Sequence, residues 1–133
     1  MASLAQQWFA DSGFDVTVEN AQEDLDAAID DGVVISLREG NETVGIMCGT
    51  KRYFFWTKEW AAQEYWFLVH PDRQRQGLAK RMGVAFLAWA KWSQCKSIML
   101  SPTRFGTIDV EAAVPALEKY GFQPYGVLLR KEI

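Results

Sequence analysis

The feature that most constrains this chain is an abrupt change of character inside "EYWFLVHPDRQRQGLAKRM", residues 64–82. After Glu64 come five residues, Tyr65 to Val69, with no polar alternation. A strand that lacks alternation is covered on both faces, as in a sheet with helices on either side. Pro71 closes the strand, since proline cannot donate to a ladder. A basic loop follows, and from Gly77 apolar residues recur at helical spacing: Leu78, Met82, Ala85, Phe86 and Trp89. The spacing predicts a helix running to about Cys95. A buried strand that passes through a short basic loop into a long helix excludes an all-β and an all-α arrangement.

The flanking segments extend this reading. Residues 3–10 read as a short helix, and "FDVTVE" (14–19) alternates like a strand. Asn20 is placed to cap an acidic helix over 21–31, which Gly32 ends. "VVISLRE" (33–39) and "TVGIMCGT" (43–50) read as strands joined by a "GNE" hairpin turn. "KRYFFWTKEW" (51–60) fits either a strand extension or an exposed hairpin. "SIMLS" (97–101) is the next strand, and residues 102–107 are a loop. Asp109 is placed to cap a helix over 110–120 that Gly121 ends, and "YGVLLRKE" (125–132) is a last strand. The order predicts a single domain over residues 1–133 with a mixed α/β fold: a mixed sheet of about six to seven strands flanked by helices on both faces.

The basic loop is a candidate anion cradle. A helix N-terminus leaves backbone N–H groups unpaired and carries partial positive charge. A turn before it can aim further N–H groups into the same concavity. Gly77 permits an unusual dihedral or a close approach, and Ala79 keeps the first turn open. Phosphate or pyrophosphate fits such a place. A strand-to-helix turn with a solvated basic rim is the alternative. The loop lacks Gly-Lys-Ser/Thr, and Gly77 is its one glycine, so neither a Walker A loop nor a dinucleotide fingerprint is present.

Charge supports a polyanionic ligand on this side. The net charge is −3, yet residues 1–64 carry 12 acidic and 4 basic side chains and residues 65–133 carry 5 and 10. The acidic overall balance argues against broad nucleic-acid binding. Cys48 and Cys95 have no metal-ligand spacing. Free thiols and a cytoplasmic location are expected, although the count alone also permits one disulfide. No stretch is long and apolar enough to span a membrane, and residues 1–13 do not read as a signal peptide.

"VHPDRQRQGLAKRM" resembles the acyl-CoA-binding motif of the GNAT superfamily of N-acetyltransferases, which reads Gln/Arg, two residues, Gly, one residue, Gly/Ala. Here that is Gln74, Arg75, Gln76, Gly77, Leu78 and Ala79. The preceding "LVHP" and the downstream "ALEKYGFQP" (116–124) resemble the family in the same order, and the likeness covers roughly residues 14–132.

The resemblance implies a centrally splayed sheet and acetyl-CoA as cosubstrate. It implies that residues 74–79 wrap the CoA pyrophosphate with backbone amides, with Arg73, Arg75 and Lys80 adding charge. Strand 64–69 would part from 97–101, and pantetheine would pair with the backbone of Phe67 and Val69, Leu68 lying between them. The Phe67 N–H would serve the thioester carbonyl as an oxyanion donor. The reaction implied is direct attack of a primary amine on acetyl-CoA, which needs a base. Glu64 is the candidate base, with Gln63 the neighbouring alternative. The family often carries a tyrosine four residues before the Gly of "GF". That position is Leu117 here, a departure, and Tyr120 is the candidate acid in its place, with Tyr125 behind it and a packed core tyrosine as the alternative reading. The asparagine often found near the start of this helix is also missing, with Asp109 and Val110 there. A free thiol has a pKa near ~8.5, so the thiolate can leave without a dedicated acid. The lone His70 reads as a loop-positioning residue rather than a catalytic one.

The acidic helix, with Glu23, Asp24, Asp26, Asp30 and Asp31, suits a cationic acceptor such as a polyamine, an aminoglycoside, or a protein lysine or N-terminal amine. The aromatic segment 52–60 is a lid or a homodimer surface in this reading. Two rival readings stand beside catalysis: a GNAT-fold module that binds CoA or a protein partner without turnover, and an unrelated nucleotide-phosphate-binding domain. No metal is implied.

Overall fold

Two helices open the chain and pack together on one face of a sheet. The computed structural model describes residues 1–10, 16–74, 76–100, 114, 115, 117–123 and 131–133. The first helix, α1, spans Ala2–Ala10, and α2 spans Val18–Asp31. The strand expected over 14–19 is not formed at its described residues 16–19. Thr17 caps α2 instead of Asn20, its hydroxyl accepting the Asn20 N–H at 3.1 Å. The alternation of Val16 and Val18 mimics a strand over a short window. From Val18 onward a helical period takes over: Val18 packs on the core cluster that buries Ala21, Leu25 and Ala28. The cap and this longer period outweigh two valines two residues apart.

The sheet follows in chain order. Strands β1 (Gly32–Glu39), β2 (Glu42–Phe54) and β3 (Glu59–Val69) form an antiparallel meander, and β4 (Ser97–Met99) pairs parallel to β3. The ambiguous aromatic segment resolves as both readings at once. β2 continues to Phe54, residues 55–58 turn, and β3 starts at Glu59, five residues before the apolar run. Tyr53 pairs with Trp60 across this arm, and Tyr53, Phe55, Trp56 and Trp60 are exposed. The arm is hard to read from sequence because its side chains serve surface rather than core.

Helix α3, Leu78–Trp92, covers the other face. Leu78, Met82, Phe86 and Ala90 form its buried stripe, while Ala85 lies exposed beside it. Phe86 is 1% exposed, and burying such a side chain contributes about 1.5–3 kcal/mol. The helix ends three residues before Cys95, where Gln94 turns left-handed (φ 62°) and the Cys95 N–H reaches back to Ala90 O at 2.9 Å.

The sheet therefore separates two cores. Ile46, Cys48, Trp66 and Leu68 face α1 and α2, whereas Met47, Phe67 and Val69 face α3. β3 is covered on both faces along Trp66–Val69, as its lack of alternation required. The four strands and three helices form a mixed α/β architecture of the expected kind. The last strand, 125–132, and most of the helix over 110–120 fall outside the described residues.

Candidate active site

β3 and β4 pair over three residues only: Ala61 with Ser97, Ala62 with Ile98 and Gln63 with Met99. From Glu64 to Val69, among the described residues, β3 has β2 as its strand partner, and the chain directly after Leu100 lies outside the described residues. The ladder register says which backbone groups face away from β2. The His70 N–H donates to Val44 O at 2.9 Å, so Gly45 and Val69 form a non-hydrogen-bonded pair. Two residues back, Met47 and Phe67 form another. Phe67 and Val69 thus direct their N–H and C=O away from β2.

Just past its pairing with β4, β3 carries an extra residue. Cys48 pairs with Trp66 and Gly49 with Glu64, leaving Tyr65 as a bulge. A bulge raises local twist and disrupts the β2–β3 ladder at this point. Gly49 is required here, because a Cβ on it would collide with Gln63 O. Glu64 is half-buried beside the bulge, and its Oε2 is shielded from solvent.

Asp24 reaches this region from α2. The Trp66 Nε1–H donates to Asp24 Oδ2 at 3.2 Å. Between them lies Cys48, fully buried, whose thiol is pushed up to about 12, chiefly by burial and further by the charges of Asp24 and Glu64. That thiol is a neutral core group and no nucleophile at ordinary pH. Both cysteines are free. The remaining acids of α2, including Glu23, Asp26, Asp30 and Asp31, are exposed.

At the other end of β3 stands the candidate cradle. His70 leads into a 3-10 turn, Pro71–Arg73. Gly77 then adopts φ 76°, ψ 8°, and α3 starts with no side-chain cap and no acid in its first turn. Its first amides are left for something else to satisfy. A Cβ at Gly77 would meet nothing within 4 Å, so glycine is needed for the left-handed dihedral rather than for space. Leu78 is buried and anchors the helix, while Gln76, Gly77, Ala79 and Lys80 are exposed and Gln74 is half-buried. Arg75 lies outside the described residues. No side-chain pattern opposes an anion here, and an uncapped N-terminus beside Lys80 fits a pyrophosphate.

Two sequence expectations change. Arg73, expected to add charge to the cradle, turns the other way: its Nη1 lies 3.1 Å from Glu39 Oε2 and its Nη2 3.6 Å from Glu42 Oε2. Tyr120 is 63% exposed and no core residue; Lys80 Nζ sits 5.7 Å from its ring centroid. Tyr120 therefore stands beside the cradle end of α3. Leu117, at the usual tyrosine position, is half-buried. Tyr125, Asp109 and Val110 lie outside the described residues. His70 holds its loop as expected: its Nδ1 accepts the Asp72 N–H at 3.1 Å and its Nε2 lies 3.3 Å from Glu42 Oε1.

Sequence reasoning missed the bulge at Tyr65 and the two glutamates that meet Arg73. Neither has a local signal beyond the acids flanking the hairpin turn. Among the described residues no group of His, Cys, Asp and Glu could hold a metal ion, and no helix is long and apolar enough to cross a membrane.

Solved structures share this fold. A predicted acetyltransferase from Clostridium acetobutylicum with acetyl-CoA superposes with a TM-score of 0.74 at 16% identity, over 98% of this chain and 86% of that one. Ribosomal-protein-alanine N-acetyltransferase from Brucella melitensis biovar Abortus gives 0.73 at 17%, over 99% and 93%. Glucosamine-6-phosphate N-acetyltransferase from Arabidopsis thaliana gives 0.66 at 18%, over 88% and 79%. No curated protein sequence matches significantly. The sequence model of the acetyltransferase (GNAT) family matches residues 2–122. With nearly the whole chain matched, the protein belongs to the GNAT family of acetyltransferases.

Proposed function

We propose that this single domain transfers an acetyl group from acetyl-CoA to a primary amine by direct attack. The observation that carries the reading is the run of β3 into the cradle. Phe67 and Val69 turn their backbone groups away from β2, and the strand ends one short loop before the left-handed Gly77. An extended pantetheine would pair with Phe67 and Val69 past Leu68. Its pyrophosphate would lie on the amides of residues 74–79, with Lys80 and Arg75 beside it.

The chemistry follows from this placement. An ammonium has no lone pair, so Glu64 accepts a proton from the acceptor, directly or through water. The amine nitrogen bonds to the thioester carbon, and the Phe67 N–H meets the charge that develops on the carbonyl oxygen. The C–S bond breaks and the thiolate leaves. Tyr120 is the candidate to return a proton to it, and Tyr120→Phe tests that role. The acceptor is a cation in this reading, a small polyamine or aminoglycoside or a protein lysine or N-terminus, because Asp24 reaches β3 beside Glu64. Free cysteines support a cytoplasmic setting.

Thermal unfolding with acetyl-CoA, CoA and ATP, followed by turnover with an amine panel, tests the proposal. A ligand at a hundred times its Kd should stabilise by roughly 2.7 kcal/mol. A shift with both CoA forms but not ATP, together with acetylated product, supports it. No shift with any of the three overturns it. Binding without turnover favours the second reading, a CoA-binding module, for which the leucine at position 117 is the specific observation.

A further inference from the structure

The β1–β2 turn and the loop after β3 meet in a four-residue cluster. Glu39 and Glu42 are direct cross-strand partners around the tight turn at Gly40. Like charges placed opposite each other repel, so this pairing needs a compensating cation. Arg73 supplies it by spreading its fork over both carboxylates, Nη1 to Glu39 at 3.1 Å and Nη2 to Glu42 at 3.6 Å. His70 takes the other oxygen of Glu42 at 3.3 Å. Since His70 Nδ1 accepts from the Asp72 N–H, a neutral His70 carries its proton on Nε2 and donates it to Glu42.

Every other contact of His70 restrains the same point. Its N–H is bonded to Val44 O, its C=O accepts the Arg73 N–H at 2.9 Å, and the buried Trp8 of α1 meets its ring edge-on at 5.7 Å. The chain is thus fixed through Arg73 on one side. On the other side it is fixed again by Leu78, buried under α3. Residues 74–77, the first part of the cradle, lie between these two points.

The geometry points to a clamp: Glu39 and Glu42 hold His70 and Arg73 so that the phosphate-binding loop is preformed. Arg73 is a positioning residue that acts through the loop, not a ligand of the pyrophosphate. This assignment rests on the acetyl-CoA reading above for its purpose, and on the contacts among Glu39, Glu42, His70 and Arg73 for its existence. Preorganisation of a binding loop is gained as affinity, because less ordering remains to be done on binding. Exposed ion pairs add little to global stability, so the clamp variants should unfold close to the parent.

The test compares Glu39→Ala/Glu42→Ala, Arg73→Ala and Arg73→Lys with the parent. The clamp predicts that each weakens acetyl-CoA binding by about tenfold through lost preorganisation, with kcat at saturation unchanged. It predicts that combining the glutamate and arginine changes adds no further loss. S-acetylpantetheine, which lacks the pyrophosphate, should bind all variants alike. Arg73→Lys should behave as Arg73→Ala, because an ammonium cannot bridge two carboxylates in a fork. If Arg73 instead binds phosphate, removing the glutamates frees it and tightens acetyl-CoA binding, and lysine rescues; either result overturns the clamp. Amide hydrogen exchange of the ligand-free proteins gives an independent readout. Residues 76–80 should exchange faster in the variants while β2 and β3 stay protected. Unchanged exchange there also overturns the clamp. A parent protein that binds no CoA would remove the proposed function, and the exchange result would still decide the clamp.

Discussion

Trp66 on β3 donates its indole N–H to Asp24 on α2 at 3.2 Å, across 42 residues of chain. This bond ties the acidic helix to the strand beside the Tyr65 bulge, in addition to the packing of Ala21, Leu25 and Ala28. Removing the acceptor strands a partly buried donor, which costs about 1–3 kcal/mol. Asp24→Ala should therefore lower the unfolding midpoint by several degrees. Trp66→Phe/Asp24→Ala removes donor and acceptor together and should cost less than the two single changes summed, as a double-mutant cycle by thermal unfolding would read. Strict additivity would mean that the bond does not form in solution.

Gly77 makes a second expectation quantitative. Its φ of 76° lies in the left-handed region, where a Cβ costs roughly 1–2 kcal/mol. No neighbour lies within 4 Å of that Cβ, so alanine is strained but not excluded by space. Gly77→Ala should destabilise by roughly that amount, or reshape the loop and reduce the midpoint shift produced by acetyl-CoA. Gly77→Asn should do less harm, since asparagine tolerates this conformation. Equal damage from both would argue for crowding by the ligand itself rather than backbone strain.

The parts of the fold legible in the sequence were those whose cause is local. Tyr65–Val69 carries no alternation, so the burial of Trp66–Val69 on two faces could be read directly, although Tyr65 itself is exposed. Pro71, Gly77 and the Leu78–Met82–Phe86 stripe marked the loop and the helix in the same way. The start of α2 was misread because Val16 and Val18 alternate around a cap, and only the spacing on to Leu25 and Ala28 settles it as helix. Sequence reading gave the exposed aromatics of residues 53–60 no fixed place, since no core period organises them. The site shows the same division. The cradle is a contiguous segment, so it could be proposed from the sequence alone. Arg73 was assigned to phosphate by proximity in sequence, but its partners Glu39 and Glu42 lie more than thirty residues upstream, where no local pattern points back to it. The bulge at Tyr65 depends on pairing with Gly49, which also is invisible in either strand alone.

Cys48 should leave a signature in alkaline stability. Burial pushes its thiol up to about 12 from the ordinary cysteine value of 9.0. Below about pH 9 the thiol is protonated in both states and its contribution is fully present. Between about pH 9 and 12 the unfolded chain releases the proton while the folded chain keeps it. Stability should therefore fall by about 1.4 kcal/mol per pH unit over that window from this group. Urea unfolding from pH 8 to 10.5 should show the slope in the parent and lose this part of it in Cys48→Ala, whatever cavity cost that change adds at every pH. Alkylation of the native protein should reach the half-buried Cys95 first.

Glu64 and Gln63 are neighbours at the end of the β3–β4 pairing, and only one of them can act as a base. Gln63 is the last residue of β3 paired with β4, opposite Met99, whereas Glu64 is one step further along β3, opposite Gly49. An amide has no useful basicity near neutral pH, so Gln63 could only orient a water. Glu64→Gln should then slow acetyl transfer by about 10²–10⁴-fold while acetyl-CoA affinity stays at the parental value. The acid limb of the kcat profile against pH should disappear with it. Gln63→Ala serves as the comparison: it should leave that limb in place even where the rate falls. Retention of the limb in Glu64→Gln would move the base to another group. Asp24, bonded to the indole of Trp66 two residues along the same strand, is the carboxylate to test next.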